Sequence, residues 1–235
     1  MALETLWNGV TLRTPAGRFP LGTDSVALAG FARIARGSRV ADLGCGSGAV
    51  ALMLLASEPG CAVTGIELDP LAAQAARENA RENRVNFTVV EGDLRQIETL
   101  LPAGQMDAAV SNPPYFPAGS GPGASMARSE VWLPLTDLCR AAGWLLRWGG
   151  TFSLVHRPER LADLIGCLQA QRLEPKRLQL VRHRSGGPVS LLLLEAKKGA
   201  KPGLRWEPDC ILYDEQGRET NACRALYHRD GKECD

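Results

Sequence analysis

The feature that most constrains the fold of this chain is a strand–turn–helix unit beginning near residue 40. Val40-Ala41-Asp42-Leu43 is an apolar run of strand length, Gly44-Cys45-Gly46-Ser47-Gly48 follows at once, and the Ala- and Leu-rich run 49–56 reads as a helix. Strand, glycine turn and helix in that order belong to an α/β protein and set backbone N–H groups and a helix N-terminus beside a ligand. Glycines there accept positive φ and let a ligand approach the backbone closely. The spacing is G-x-G-x-G, which differs from the dinucleotide pattern G-x-G-x-x-G.

Two further strand ends carry carboxylates. The run 62–66 ends in Glu67, about 20 residues past the glycine turn, where a carboxylate accepts hydrogen bonds from both hydroxyls of a ribose. The run 86–90 ends in Glu91-Gly92-Asp93, which sets Asp93 to face an adenine amino group. A fourth strand, 106–110, is followed by Asn112-Pro113-Pro114-Tyr115. Two prolines remove two backbone donors and leave carbonyl acceptors; Asn112 adds a side-chain acceptor and Tyr115 a flat aromatic face. That set suits a planar substrate bearing an NH2 group, such as a nucleobase or an amide.

The remaining punctuation completes a map. A hairpin is expected over 7–19 and a helix over 23–36, capped by Thr23 or Asp24. Asp69-Pro70 opens a helix to Asn83, and 94–101 is a short helix. The run 116–128 is rich in Gly, Pro, Ser and Ala and reads as a mobile loop. A helix over 134–147 is expected to stop at Gly149-Gly150, before a strand over 151–155 and a helix over 159–171. Runs 176–182 and 189–196, joined through Ser185-Gly186-Gly187-Pro188, read as an antiparallel hairpin at the sheet edge. The implied architecture is a doubly wound, Rossmann-like α/β fold with a seven-stranded, mostly parallel sheet and a C-terminal antiparallel hairpin. Residues 1–38 are expected to cover the ligand site, 39–199 to form the catalytic domain, and 200–235 to be a polar extension, disordered after Tyr227.

Composition excludes several classes. No apolar run of membrane-spanning length occurs, and the N-terminus lacks the basic-then-apolar pattern of a signal peptide. Seven cysteines without a C-x-x-C pair speak against a zinc site and a disulfide framework, and for a reducing cytoplasm. A net charge of +1 gives no global attraction to nucleic acid. Basic residues do cluster, at Arg172, Lys176, Arg177, Arg182, His183 and Arg184 and then at Lys197, Lys198, Lys201 and Arg205. That cluster is either a solvated face or a phosphate-binding surface.

With these residues in view, the order Asp42-Leu43-Gly44-Cys45-Gly46-Ser47-Gly48, Glu67, Asp93, Asn112-Pro113-Pro114-Tyr115 resembles the class I S-adenosylmethionine-dependent methyltransferases. The tetrapeptide marks the branch that methylates exocyclic amines of adenine or guanine, or the side-chain amide of glutamine. Within it the chain is similar to the bacterial valine-tRNA adenine N6-methyltransferase family, through Arg18-Phe19-Pro20-Leu21-Gly22-Thr23-Asp24-Ser25-Val26 and Ala127-Arg128-Ser129-Glu130. Glu195-Ala196-Lys197-Lys198-Gly199 and Ile211-Leu212-Tyr213-Asp214 add to the likeness. The resemblance implies S-adenosylmethionine as cofactor, held by Asp24, Asp42, Gly44, Gly46, Gly48, Glu67, Leu68, Asp93, Leu94 and Asn112. It implies Asn112, Pro113, Pro114 and Tyr115 as the catalytic set, and RNA (a tRNA anticodon loop) as partner. No metal or membrane is expected, and a monomer or weak dimer. Asp24 serves either as helix cap or as cofactor contact; Arg128 and Glu130 either order a loop or form a surface ion pair.

An adenine amine is a poor nucleophile because its lone pair is delocalised into the ring. Acceptance of its two N–H bonds by the Asn112 side chain and the Pro113 carbonyl draws the hydrogens toward a tetrahedral arrangement, and Tyr115 stacks on the base, a contact worth roughly 1–3 kcal/mol. Positioning then carries most of the catalysis, and an unstacked loop adenine lowers the cost of access. The alternatives are a guanine N2 in rRNA and a protein glutamine amide. Enzymes acting on the latter carry a helical docking domain ahead of the glycine turn, where this chain has fewer than 45 residues. A nicotinamide dehydrogenase does not account for the tetrapeptide. A non-catalytic RNA-binding module is expected to have lost the Asn or the glycines, which are all present.

Overall fold

The computed structural model describes residues 2–17, 21–113 and 133–227. The chain opens with a hairpin of β1 (Ala2–Thr5) and β2 (Thr11–Thr14), turned through a short 3-10 segment at Trp7–Gly9. Strands and helices then alternate: α1 (Thr23–Phe31), β3 (Arg39–Leu43), α2 (Ala49–Ser57), β4 (Ala62–Glu67), α3 (Pro70–Asn83), β5 (Phe87–Glu91), α4 (Ile97–Leu100), β6 (Met106–Ser111), α5 (Leu135–Leu145), β7 (Leu146–His156) and α6 (Leu161–Ala170). The hairpin of β8 (Leu173–Arg184) and β9 (Val189–Lys198) follows, and then β10 (Arg205–Trp206), β11 (Cys210–Tyr213) and α7 (Asn221–Leu226). Among the described residues no helix is long and apolar enough to cross a membrane.

The main sheet has nine strands, in the order β10-β8-β9-β7-β6-β3-β4-β5 with β11 also paired to β8. The seven strands read from the sequence are its body; β10 and β11 are the addition. Both run parallel to β8 and cover the outer edge of that strand, where unpaired N–H and C=O groups would otherwise face solvent or another chain. The extension beyond Gly199 is therefore part of the sheet. Its helix α7 packs on α1, with Leu226 against Gly30 so closely that a Cβ there would lie 2.8 Å from a Leu226 methyl.

Successive strand residues alternate between two cores, as a pleated strand requires. Val40, Val63, Val110, Val155 and Leu193 pack with α1, α2 and α7 on one face. Ala41, Ile66, Ala109, Leu154 and Leu194 pack with α4, α5 and α6 on the other. Helices on both faces of a largely parallel sheet are the doubly wound arrangement.

Three boundaries differ from the sequence reading. The N-terminal hairpin lies earlier than 7–19, with Trp7 at its tip. α1 stops at Phe31, not near residue 36: the backbone turns extended at Ala32 (φ −65°, ψ 124°), and the Phe31 carbonyl, free at the helix end, accepts from Arg177 Nη2 at 2.8 Å. Gly149-Gly150 lies inside β7 and does not stop α5: Leu146 is already paired with Met106, and the register shifts between Met106 and Ala108.

Arg177 is the buried ionic group on which this edge turns. Its guanidinium donates to both Glu195 oxygens, at 3.1 and 3.0 Å, and lies 4.2 Å from the centroid of the Phe31 ring. Arg177→Ala would strand a buried carboxylate and a helix-end carbonyl; removing one partner of such a pair costs about 3–5 kcal/mol. Urea unfolding should show a loss of that order, and a loss below about 1 kcal/mol would refute the account.

Candidate active site

The strand order puts a topological switch point between β3 and β6. From β3 the chain winds outward through β4 to β5, then returns to β6 on the other side of β3. Loops leaving the C-terminal ends of β3 and β6 diverge there, and that crevice is where open α/β sheets bind ligands. The glycine turn leaves β3 and Asn112 leaves β6. Ser111 Oγ donates to the Leu43 carbonyl at 2.7 Å, buried, which stitches the residue before Asn112 to the residue before Gly44.

Gly44, Gly46 and Gly48 have φ of 74°, 56° and 90°. Gly48 is further constrained, since a Cβ would fall 2.6 Å from the Phe87 ring. The Gly44 and Cys45 N–H groups donate to the Ile66 carbonyl at 2.9 and 3.2 Å, anchoring the turn on β4. Glu67 completes the anchor: one oxygen accepts from Gly46 N–H and the other from Asp69 N–H, each at 2.8 Å. Burial pushes the Glu67 carboxyl above its ordinary range, opposed by those N–H groups. The exposed Leu68 side chain follows it, an apolar surface at the strand end.

Asp42 lies under the turn. Burial pushes its carboxyl up to about 7; the Ala51 N–H opposes this and the nearby Glu67 charge adds to it. Its Oδ2 is buried without a hydrogen-bond partner. Asp93 differs, because the Arg95 guanidinium pairs with it, at distances down to 2.6 Å, and holds its carboxyl below the ordinary range. Its Oδ1 also accepts from Arg95 N–H at 2.9 Å, while the neighbouring Leu94 side chain is buried.

Asn112 and Pro113 sit at the mouth of the crevice, and Pro114 and Tyr115 lie outside the described residues, as do 18–20, the run 116–128, Glu130 and the tail after Tyr227. Asn112 Nδ2 donates to Ser25 Oγ at 2.9 Å. Ser25 belongs to the first turn of α1, whose cap is Gly22 and not Thr23 or Asp24. Asp24 Oδ1 accepts from Ser25 N–H at 2.8 Å, so it does serve a first-turn donor. Asp24 packs so tightly over Gly22 that a Cβ there would stand 2.3 Å from it.

The sequence reading assigns no role to Ser25, Ser111 or Asn79. Asn79 is fully buried in α3; its Nδ2 donates to the Ser47 and Arg13 carbonyls and its Oδ1 accepts from Arg13 N–H, each at 2.9 Å. It ties β2 to the glycine turn, yet within Arg77-Glu78-Asn79-Ala80-Arg81 it looks like part of a solvated face. The basic cluster also divides. Arg177 is buried with Glu195, Arg182 pairs with Asp209 and Arg205 with Glu207. Lys198 Nζ donates to the Gly143 and Leu146 carbonyls at the end of α5. Arg172, Arg184, Lys197 and Lys201 remain as exposed cations of that cluster.

A doubly wound sheet with a glycine turn, an acidic residue at the next strand end and Asn-Pro at the switch point defines a class I S-adenosylmethionine-dependent methyltransferase. The family model for the methyltransferase small domain matches residues 23–164. A tRNA1(Val) (adenine(37)-N6)-methyltransferase of Aeromonas hydrophila is 36% identical over 76% of this chain and 77% of its own length. One from Porphyromonas gingivalis is 38% identical over 69% of this chain and 68% of its own. The crystal structure of a predicted O-methyltransferase from Agrobacterium tumefaciens shares the fold, with a TM-score of 0.74, 24% identity, and coverage of 87% of this chain and 95% of that one. The chain belongs to the tRNA1(Val) (adenine(37)-N6)-methyltransferase family.

The residues present fit the cofactor. The buried, unpartnered Asp42 oxygen calls for a cationic donor, and the amino-acid end of S-adenosylmethionine carries an ammonium group. Without that group, Asp42 in the folded chain holds its proton from its ordinary value of 3.8 up to about 7. A raised native pKa contributes stability below the unfolded value that is lost as pH rises through the folded one. The ligand-free protein should therefore lose stability across this window, with Glu67 acting in the same direction. Asp42→Asn should flatten the slope between about pH 4 and about pH 7 in chemical denaturation; an unchanged slope would show that Asp42 does not generate it.

Proposed function

We propose that this protein transfers the methyl group of S-adenosylmethionine to the N6 amine of adenine 37 in tRNA1(Val), working in the cytoplasm. The observation that carries the reading is Asn112 at the switch point, beside the glycine turn through the Ser111–Leu43 bond and with its NH2 engaged by Ser25. The Asn112 amide carries an oxygen acceptor, which suits a substrate nitrogen that still carries hydrogens.

The cofactor supplies an electrophilic sulfonium methyl. Glu67 takes its ribose hydroxyls while remaining fixed by the Gly46 and Asp69 N–H groups, since a carboxylate has about four acceptor sites. Asp42 would take the ammonium, and Leu68, Leu94 and Asp93 would form the part of the site that receives the adenine. Asn112 Oδ1 and the Pro113 carbonyl accept the two hydrogens of the target amine and turn its lone pair out of the ring plane. Tyr115 stacks on the target base. No side chain has to remove a proton before the methyl arrives, because the proton leaves more easily from the methylated, cationic nitrogen.

Labelled S-adenosylmethionine and unmodified total tRNA should give N6-methyladenosine in tRNA1(Val); 2-methylguanosine, or label in protein alone, would overturn the substrate. Asn112→Ala should lower kcat by on the order of 100-fold or more while cofactor affinity stays within a few-fold. Glu67→Ala should do the reverse, weakening cofactor binding by about tenfold or more. Loss of cofactor binding in the first variant, or unchanged binding in the second, would remove the respective role.

A further inference from the structure

We propose that Thr14 is a further cofactor-binding residue: its buried hydroxyl donates to the carboxylate at the amino-acid end of S-adenosylmethionine, while Asp42 takes the ammonium of the same group. This rests on the cofactor role given to Asp42 above and extends it. Thr14 is 3% exposed, and its Oγ1 is buried without a hydrogen-bond partner, as is Asp42 Oδ2. A hydroxyl shut away from water ordinarily finds a partner within its own fold, and leaving it unmet costs stability.

The hydrogen bonds around β2 set Thr14 beside the glycine turn. Asn8 Nδ2 donates to the Ala56 carbonyl in the last turn of α2, at 2.8 Å. Five residues on, the Arg13 N–H and carbonyl are both held by Asn79, whose Nδ2 also donates to the Ser47 carbonyl just ahead of α2. β2 therefore runs beside α2 from the C-terminal end of that helix to its N-terminal end, and Thr14 is the residue that arrives there. Side chains alternate along β2, so Thr14 shares the buried side of Leu12, which packs in the core with residues of α1 and α2. The hairpin is also fixed to the entry of α1, where Glu4 accepts from the Leu21 N–H at 3.3 Å, one residue before the helix cap. Asp42 meets the same end of α2, since its carboxyl accepts from the Ala51 N–H.

An α-amino acid group carries two opposite charges on one carbon. An ionised Asp42 attracts the ammonium and repels the carboxylate. A hydroxyl serves either charge, and with the ammonium matched to Asp42 the carboxylate is what remains for Thr14. The first-turn N–H groups of α2 favour an anion at that end as well. Two buried oxygens that the fold leaves unmet thus correspond to the two charges of a single ligand group.

Calorimetric titration of the full chain with S-adenosylhomocysteine, the product that keeps both charges, and with its decarboxylated analogue, which keeps only the amine, tests the assignment. Thr14→Val, of nearly the same shape, should weaken S-adenosylhomocysteine on the order of tenfold and the analogue by less than about twofold. Thr14→Ser, which keeps the hydroxyl, should hold S-adenosylhomocysteine within about threefold of wild type. In urea the ligand-free Thr14→Val protein should unfold at a midpoint no lower than that of wild type, because no internal hydrogen bond is lost. Unchanged affinity for S-adenosylhomocysteine in Thr14→Val, or equal weakening of the two ligands, would overturn the carboxylate contact. A lowered urea midpoint would overturn it too, by showing that the hydroxyl serves the fold. Asp42→Asn should weaken both ligands, since both carry the amine. If it weakens neither, the role of Asp42 falls and takes the pairing of charges with it; if it weakens both and Thr14→Val does not distinguish them, only the role of Thr14 falls.

Discussion

Parallel pairing of β3 with β6 is the constraint from which the rest of the site follows. Residues 44 and 112 are far apart in the chain, and each follows a strand of only five or six residues. Pairing Val40 with Ala108 and Asp42 with Val110 brings the two strand ends level, and the Ser111–Leu43 bond fixes them there. The chain leaves β3 toward one face and one edge of the sheet and returns on the other side, so the described strand ends part at a crevice of the kind that binds ligands in open α/β sheets. A slip of one residue in this register would turn Val110 and Ala109 to the wrong cores and carry Asn112 away from the turn.

Around that crevice the protein holds acidic groups by different means. Glu67 is anchored by two backbone N–H groups, so its position belongs to the glycine turn before any ligand arrives. Asp93 is balanced by Arg95. Asp42 has the Ala51 N–H on one side and no partner for its other oxygen, and burial holds it near neutrality in pH terms. A buried carboxyl left with one unsatisfied oxygen costs stability, and it is the kind of group that a cationic partner would relieve.

Much of this was legible in the chain because its signals are local. The glycine turn, Glu67 at the end of β4, the Asp69-Pro70 helix start and Asn112 after β6 are each announced by residues within a few positions of themselves. What stayed hidden depends on partners remote in sequence. Ser25 meets Asn112 across 87 residues, and Asn79 meets Arg13 across 66; neither side chain differs in type from many solvated ones. The extension reads as polar because β10 is two residues long and β11 four, and only the unpaired edge of β8 gives them a place. The basic cluster misleads for a related reason. A charge in the sequence does not say whether a carboxylate or a helix-end carbonyl waits for it, and Arg177 and Lys198 both find such partners.

A chain of net charge +1 has little global attraction for a polyanion. Affinity for a polyanion normally comes from many phosphate contacts and the counterions they release. Here Arg177 and Lys198 are occupied inside the fold and Arg182 and Arg205 by carboxylates, so the cluster brings fewer cations to a phosphate surface than its length suggests. On the proposed reading, the target nucleotide itself would supply more of the recognition, through hydrogen bonds to its amine. Those contacts form only when a base is out of its stack and carries hydrogens in the right place. On that reading, weak general attraction to RNA and strict demands on one base would be two consequences of the same distribution of charge.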